Sequence, residues 1–114
     1  MRKITIVMAV YKPNIKWLIE ELDSIYDQTY RDFEVLAWND CPQDTTNYAE
    51  LFKEHLKEIP FKIYKGKENL GSNGVFQNLT ELSDTEYIAY CDQDDIWMPD
   101  KLQTLLDLLD TKDD

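Results

Sequence analysis

Positive charge is scarce in this sequence. Its 114 residues include 12 Lys and Arg against 23 Asp and Glu, which gives a formal net charge of -11 at pH 7. A surface of this sign repels phosphate backbones and gains nothing from counterion release. The composition therefore argues against nucleic acid as a partner.

Long hydrophobic runs and a cysteine framework are missing as well. No stretch approaches the roughly 20 apolar residues of a membrane span, and the basic start at Met1–Lys3 lacks the features of a signal peptide. We therefore expect no transmembrane segment and a soluble, cytoplasmic protein. The two cysteines, Cys41 and Cys91, match no metal-binding spacing and are predicted to be reduced thiols.

Glycine is rare, and its three occurrences all lie between Gly66 and Gly74. We predict a polar loop over residues 65–74, because glycine permits positive φ and a close approach of backbone to ligand. No Gly-Lys-Ser/Thr follows the glycines, so this is not a Walker-type phosphate loop.

Hydrophobic residues make up 43% of the chain, enough for the core of one domain. Short apolar and β-branched runs predict four strands, at Ile4–Val10, Phe33–Trp38, Phe61–Tyr64 and Tyr87–Cys91. The first run is apolar throughout, which is typical of a strand buried on both faces of a parallel sheet. The last is interpreted as a buried central strand.

Apolar residues at helical spacing follow each strand. In the first helix they are Ile15, Leu18, Ile19, Leu22, Ile25 and Tyr26. Charged residues, Glu21 among them, fall between these positions, and Trp17 and Trp38 are expected in the core. The second helix should continue to Pro60, and Pro99 should lie in the first turn of the fourth.

Strands that alternate with helices predict an α/β fold, with right-handed crossovers onto a parallel sheet covered on both faces. Ligands of such sheets bind outside the carboxyl ends of the strands. Unusual polar residues follow each strand: Tyr11 and Lys12, Asn39 and Asp40, the glycine loop, and Asp92 to Asp95. We expect these four segments to meet at one edge of the sheet.

The acidic residues after the fourth predicted strand suggest a metal site. In "YIAYCDQDDIW", Asp92 and Asp94 are separated by one residue, a spacing that directs both carboxylates to one side of an extended chain. Carboxylates suit Mg²⁺ or Mn²⁺, which would in turn hold a phosphorylated ligand. Two structural alternatives remain open. The acids, Asp95 included, would cap the next helix, and Asp40 would form an Asx-turn before Pro42.

With these residues assembled, the sequence resembles the N-terminal half of family 2 glycosyltransferases of the GT-A fold. The motifs span about residues 3 to 110 and are VMAVYKP from Val7, DSIYDQTY from Asp23, FEVLAWND from Phe33, ENLGS from Glu68 and CDQDDIW from Cys91. The resemblance implies a Rossmann-like GT-A nucleotide-binding half with a mostly parallel sheet of strand order 3-2-1-4. The domain is expected to cover residues 1–110, followed by a frayed acidic tail at 111–114.

The resemblance also implies a site for a UDP- or dTDP-sugar. The donor-binding residues would be Ala9, Tyr11, Asp40, Gly71, Ser72 and Asp92. Asp94 would be the direct ligand of Mn²⁺ or Mg²⁺ in a DXD motif, with Asp92 near the ribose and the metal. The expected reaction is transfer of a hexose to a surface glycan or glycoprotein acceptor.

Two features depart from the family pattern or lie beyond the matched motifs. Asn39 stands where many members have an Asp, which would alter contacts to the base or diphosphate. The catalytic base of inverting members follows the helix after the DXD motif and is expected beyond Asp114. The chain is therefore expected to be a donor-binding half of a larger transferase, with low turnover by itself and with exposed surface that favours homo-oligomers.

Two other functions compete with this one. A noncatalytic oligomerisation or interaction module would retain the half-fold without a metal site. A nucleotidyltransferase would require a glycine-rich, basic loop after the first strand, and the segment from Ala9 to Asn14 contains no glycine.

Overall fold

The computed structural model describes residues 4–92 and 95–112. Strands and helices alternate along the chain, as β1 Ile4–Val10, α1 Ile15–Tyr26, β2 Phe33–Asn39, α2 Tyr48–Leu56, β3 Phe61–Lys65, α3 Gly71–Leu82, β4 Tyr87–Cys91 and α4 Lys101–Lys112. Each predicted strand and helix is present, with ends that differ by a few residues.

The four strands form one sheet in the order β3-β2-β1-β4, and every neighbouring pair is parallel. In the register of the sheet, Val10 lies opposite Asn39 and Met8 lies opposite Cys91. The carboxyl ends of β1, β2 and β4 are therefore nearly level. The predicted α/β fold and strand order are confirmed.

Helices cover both faces of the sheet unequally. Because alternate residues of a strand point to opposite faces, Ile6 and Met8 of β1 pack into one cluster and Val7 into another. The larger cluster contains residues of α1, α2 and α4, whereas the smaller one contains Val75 and Leu79 of α3.

Three helix boundaries differ from those predicted. The helix α3 begins at Gly71, whose φ is +78°, so Gly71 and Gly74 lie in a helix and not in the loop. The helix α2 ends at Leu56, because Lys57 adopts a φ of 55° and its amide bonds to the Lys53 carbonyl. Finally, α4 begins at Lys101, after Pro99.

Two predictions of burial were wrong, those for β4 and for Trp17. The strand β4 is an edge strand of the described sheet, and Tyr90 within it is 55% exposed. Trp17 is 50% exposed, whereas Glu21 is completely buried. The helix α1 is oriented so that Leu18, Glu21, Leu22 and Ile25 face inward, which turns Trp17 outward.

The helix α4 extends through Lys112, two residues past the predicted end of the domain. Within the described ranges, no helix is both long enough and apolar enough to cross a membrane.

Substitution of Gly66 tests how closely the backbone at this position packs against Trp38. A Cβ atom at this position would lie 2.9 Å from Cζ2 of Trp38, closer than van der Waals contact allows. We predict that Gly66→Ala displaces the indole and lowers the free energy of unfolding by about 1–3 kcal/mol. Urea denaturation followed by tryptophan fluorescence measures the change.

A second substitution separates this steric effect from backbone effects. In a Trp38→Leu background the indole is gone, so adding Gly66→Ala should have little further effect. An alanine variant as stable as the wild type, or an equal loss in both backgrounds, would contradict the packing argument.

Candidate functional site

A cavity of about 520 Å³ lies at the carboxyl ends of β1, β2 and β4. Its lining residues are Ala9, Tyr11, Asp40, Asn69, Gly71, Ser72 and Asp92. The structure thus brings together the six residues that the family resemblance implied for donor binding, and it adds Asn69. They come from four separate segments of the chain.

One wall of the cavity comes from the end of β1. Ala9 is partly buried in the strand, and Tyr11 follows it with 45% of its surface exposed. The Lys12 ammonium lies 5.4 Å from the centroid of the Tyr11 ring, and Lys12 has a φ of 42°. This backbone conformation is uncommon for a residue other than glycine and marks the turn that leads to α1.

Asp40 connects the end of β2 to the start of α3. Its carboxylate is buried and accepts hydrogen bonds from the amides of Leu70 at 2.7 Å and Gly71 at 2.9 Å. Its main-chain carbonyl accepts another from the Asn69 side chain at 3.0 Å. The residue before α3, Leu70, offers no side-chain cap, so Asp40 satisfies free amides of this helix end and complements its dipole.

The Asx-turn expected of Asp40 is formed by its neighbour. The Asn39 side chain is buried, and its Oδ1 accepts a hydrogen bond from the amide of Cys41 at 3.1 Å. The Asx-turn prediction for Asp40 was therefore wrong, because its side chain points to α3 instead. The uncharged side chain of Asn39 forms this turn without placing a second negative charge beside Asp40.

The loop after β2 is fixed by a second carboxylate. The Tyr48 hydroxyl donates to Asp44 at 2.5 Å, and the Thr46 amide donates to the same carboxylate at 2.9 Å. These bonds, that of Tyr48 foremost, hold the pKa of Asp44 below its usual value. Burial, reinforced by the bond to Asp44, raises the pKa of Tyr48 to about 12. Both groups therefore keep their roles of donor and acceptor at neutral pH.

The end of β4 contributes Asp92, which is exposed at the cavity. Asp94 lies outside the described residues. The expectation that the acids cap α4 is not supported in the described part of the chain. There, the Leu102 amide bonds to Gln28 Oε1 at 3.0 Å, and the Lys101 amide bonds to the Met98 carbonyl.

Cys41 and Cys91, which follow β2 and end β4, are both buried and free. Burial, together with the neighbouring Glu21 carboxylate, raises the pKa of the Cys91 thiol. The thiol is therefore protonated at neutral pH, and it donates to Glu21 Oε2 at 3.3 Å.

The residues that line the cavity suit a divalent metal ion that binds together with a phosphorylated substrate. Among residues 4–92 and 95–112, no three His, Cys, Asp or Glu side chains are grouped as a metal site. Asp92 nevertheless lines the cavity and is exposed. Mg²⁺ is often held by one or two carboxylates with substrate phosphates and water completing its shell, so the donor set fits such an ion.

Comparison with known proteins identifies the family. The family model described as "Glycosyl transferase family 2" matches residues 5–114. The chain belongs to glycosyl transferase family 2. Its relatives include the dTDP-rhamnosyl transferase RfbG of Shigella flexneri, which is 33% identical in an alignment of 107 residues that covers 90% of this chain and 36% of RfbG. An uncharacterised glycosyltransferase of Methanocaldococcus jannaschii is 32% identical over 101 residues, which are 88% of this chain and 34% of that protein.

Solved structures confirm the GT-A fold. The mannosyltransferase PcManGT from Pyrobaculum calidifontis, solved with GDP-Man and Mn²⁺, superimposes with a TM-score of 0.82 at 23% identity, over 96% of this chain and 33% of that protein. S. aureus TarS 1-349 in complex with UDP-GlcNAc gives a TM-score of 0.79 at 21% identity, over 96% and 31% of the two chains. The chain thus spans about a third of these proteins.

Sequence reasoning missed Asn69, Glu21 and Gln28. Asn69 lies in the quoted ENLGS motif, so its position beside Gly71 and Ser72 was a usable signal. Gln28 likewise lies in the quoted DSIYDQTY motif, after the end of α1. Glu21 carries no such signal, because a polar residue on an amphipathic helix is normally solvated.

Asp40 provides the test of how this site is held together. Asp40→Ala leaves the buried amides of Leu70 and Gly71 without their acceptor, which should lower the free energy of unfolding by about 1–3 kcal/mol. Asp40→Asn, which keeps one acceptor oxygen, should lose less. Urea denaturation measures both losses, and amide exchange at Gly71 should accelerate in the alanine variant.

Asp84→Asn is the matched control, since Asp84 is an exposed acid before the amino end of β4. Equal stability of Asp40→Ala and this control would contradict the capping role.

Proposed function

We propose that this domain binds a nucleoside diphosphate sugar together with a divalent metal, as the donor site of a glycosyltransferase. The observation that carries the proposal is the cavity at the carboxyl ends of the strands, where residues of four motifs of the family meet. UDP and dTDP are the proposed carriers, and a hexose is the proposed group transferred to a surface glycan or glycoprotein.

The nucleoside is assigned to the wall formed by Ala9, Tyr11 and Asp40. Tyr11 is 45% exposed and lines the cavity, and the small side chain of Ala9 leaves room beside the strand. Asp40 accepts two backbone hydrogen bonds, yet a carboxylate has about four acceptor positions, so it retains capacity for a base N–H. In this arrangement one acid orders α3 and also contacts the base.

The diphosphate is assigned to the space between the start of α3 and Asp92. Gly71 and Ser72 are exposed at the cavity, where the absence of a glycine side chain permits close approach. Asp92, with Asp94 from the family motif, is assigned to Mn²⁺ or Mg²⁺. When bound, the metal neutralises charge on the diphosphate, which an acidic protein would otherwise repel.

Chemistry on the acceptor requires a general base within hydrogen-bond reach of its hydroxyl. We assign that role to no described residue, and the family resemblance puts the base after α4. The described residues thus act in binding and orienting the donor, and we propose that turnover by this chain alone is very low.

Isothermal titration calorimetry tests the proposal. UDP, dTDP and GDP are each titrated into the protein with and without Mn²⁺. We expect UDP or dTDP to bind, with affinity increased by Mn²⁺. Asp92→Asn and Asp94→Asn should each abolish most of that increase, because a ligand mutation removes a charged oxygen donor.

Asp84→Asn again provides the control, since it removes one negative charge outside the cavity and should keep the full effect of Mn²⁺. Absence of heat with all nucleotides would overturn the proposal, and so would Mn²⁺-enhanced binding that survives both cavity substitutions. Stronger binding of GDP would reject the uridine and thymidine carriers while supporting the site.

As a second function, we propose self-association through the edge of β4. In the described sheet β4 pairs with β1 alone, so its other side is an edge at which another strand could add. Beside it, an apolar groove of about 270 Å³ is lined by residues of β4 and α4, with Leu105 and Leu108 40% and 57% exposed. A second copy satisfies both features by pairing edge to edge.

Multi-angle light scattering measures this association. We expect a dimer whose dissociation is promoted by Leu108→Lys and is insensitive to nucleotide. A wild-type protein that remains monomeric at high micromolar concentration would contradict the proposal.

A further inference from the structure

Two polar side chains of α1 and one just after its end form hydrogen bonds with the segment after β4. Glu21 and Ser24 lie three residues apart on α1, and Gln28 follows two residues after the end of the helix. Glu21 is 0% exposed and Gln28 is 1% exposed. We call these three residues the anchor face and residues 95–102 the anchored segment.

Glu21 contacts the beginning of the anchored segment. Its Oε2 accepts a hydrogen bond from the amide of Asp95 at 3.0 Å. The same amide lies 3.2 Å from the carbonyl oxygen of Asp92, which it also bonds. Glu21 is therefore one shared amide away from Asp92, which lines the cavity.

Ser24 and Gln28 hold the rest of the anchored segment. Ser24 Oγ accepts from the Trp97 amide at 3.1 Å. Gln28 donates from Nε2 to the Met98 carbonyl at 2.7 Å and accepts at Oε1 from the Leu102 amide at 3.0 Å. Gln28 thus caps the start of α4 and supports the segment that precedes it.

Hydrophobic packing alone does not require this arrangement. Burying a carboxylate and an amide costs desolvation free energy unless their hydrogen bonds are formed. Apolar residues at the same positions would avoid that cost. Residues 95–100 of the anchored segment form no helix or strand, so their own backbone makes few regular hydrogen bonds. The anchor face replaces those bonds and gives the segment one conformation.

We propose that Glu21, Ser24 and Gln28 are positioning residues that fix the anchored segment and thereby the place of Asp92 at the cavity. The consequence for metal-dependent nucleotide binding rests on the function proposed above. The positioning itself is a property of the fold and is testable without any ligand.

The ligand-free test is amide hydrogen exchange on ¹⁵N-labelled protein. Glu21→Leu removes the acceptor and should accelerate exchange at Asp95, and Gln28→Leu should do so at Leu102. Each should also shift the amide resonance of Asp92 or Trp97, while β1 amides stay protected. Glu21→Gln keeps an acceptor oxygen and should restore most of the protection at Asp95.

Leu22→Ala is the matched control, because Leu22 is equally buried on α1 but packs in the hydrophobic core. It should lower the melting temperature and accelerate exchange throughout the sheet, without a selective effect on the anchored segment. Unchanged exchange at Asp95 and Leu102 in folded anchor variants would overturn the proposal. A loss of protection that is uniform, as in the control, would overturn it as well.

The ligand-bound test compares nucleotide affinity with and without Mn²⁺. For Glu21→Leu the gain in affinity due to Mn²⁺ should fall about tenfold or more, as for residues that orient metal ligands. Glu21→Gln should recover most of the gain, and Leu22→Ala should retain it. A full Mn²⁺ effect in Glu21→Leu would overturn the positioning role while leaving the donor site intact. If the wild type shows no Mn²⁺ effect, the proposed function fails and the exchange test alone decides the positioning.

Discussion

Parallel pairing of β1 with β2 on one side and β4 on the other is the constraint on which the site depends. The register sets Val10 opposite Asn39 and Met8 opposite Cys91, so each strand ends at the same edge of the sheet. A slip of one residue would exchange the two faces of a strand and send its core residues to the wrong cluster. The packing that stabilises the sheet therefore also fixes where Asp40 and Asp92 emerge.

Side chains from distant elements then set the loops at that edge. Asp40 of the β2 end accepts two amides at the start of α3, and Gln28 after α1 accepts an amide in the first turn of α4. Neither helix start relies on a cap from its own flanking residue to make these bonds. Because the caps come from elsewhere in the fold, the order of the cavity depends on tertiary structure.

The sequence allowed most of the architecture to be predicted and part of the site. Hydrophobic periodicity located the helices, and short apolar, β-branched runs such as Ile4–Val10, which are typical of buried strands in a parallel sheet, located the strands. It did not predict the burial of Glu21 or the exposure of Trp17, because the rotation of α1 is set by its partners. The capping role of Asp40 was hidden for a similar reason, since its hydrogen-bond partners are 30 and 31 residues away.

The central claim is that a metal and a nucleoside diphosphate meet at the carboxyl edge of the sheet. Paramagnetic broadening by Mn²⁺ in the ¹H–¹⁵N spectrum, recorded with and without UDP or dTDP, tests it most directly. The account predicts that with nucleotide the amides of Asp92, Ala9 and Gly71 broaden first and together. Broadening that is absent with nucleotide, or that is strongest at acids remote from the cavity such as Asp84, would contradict it.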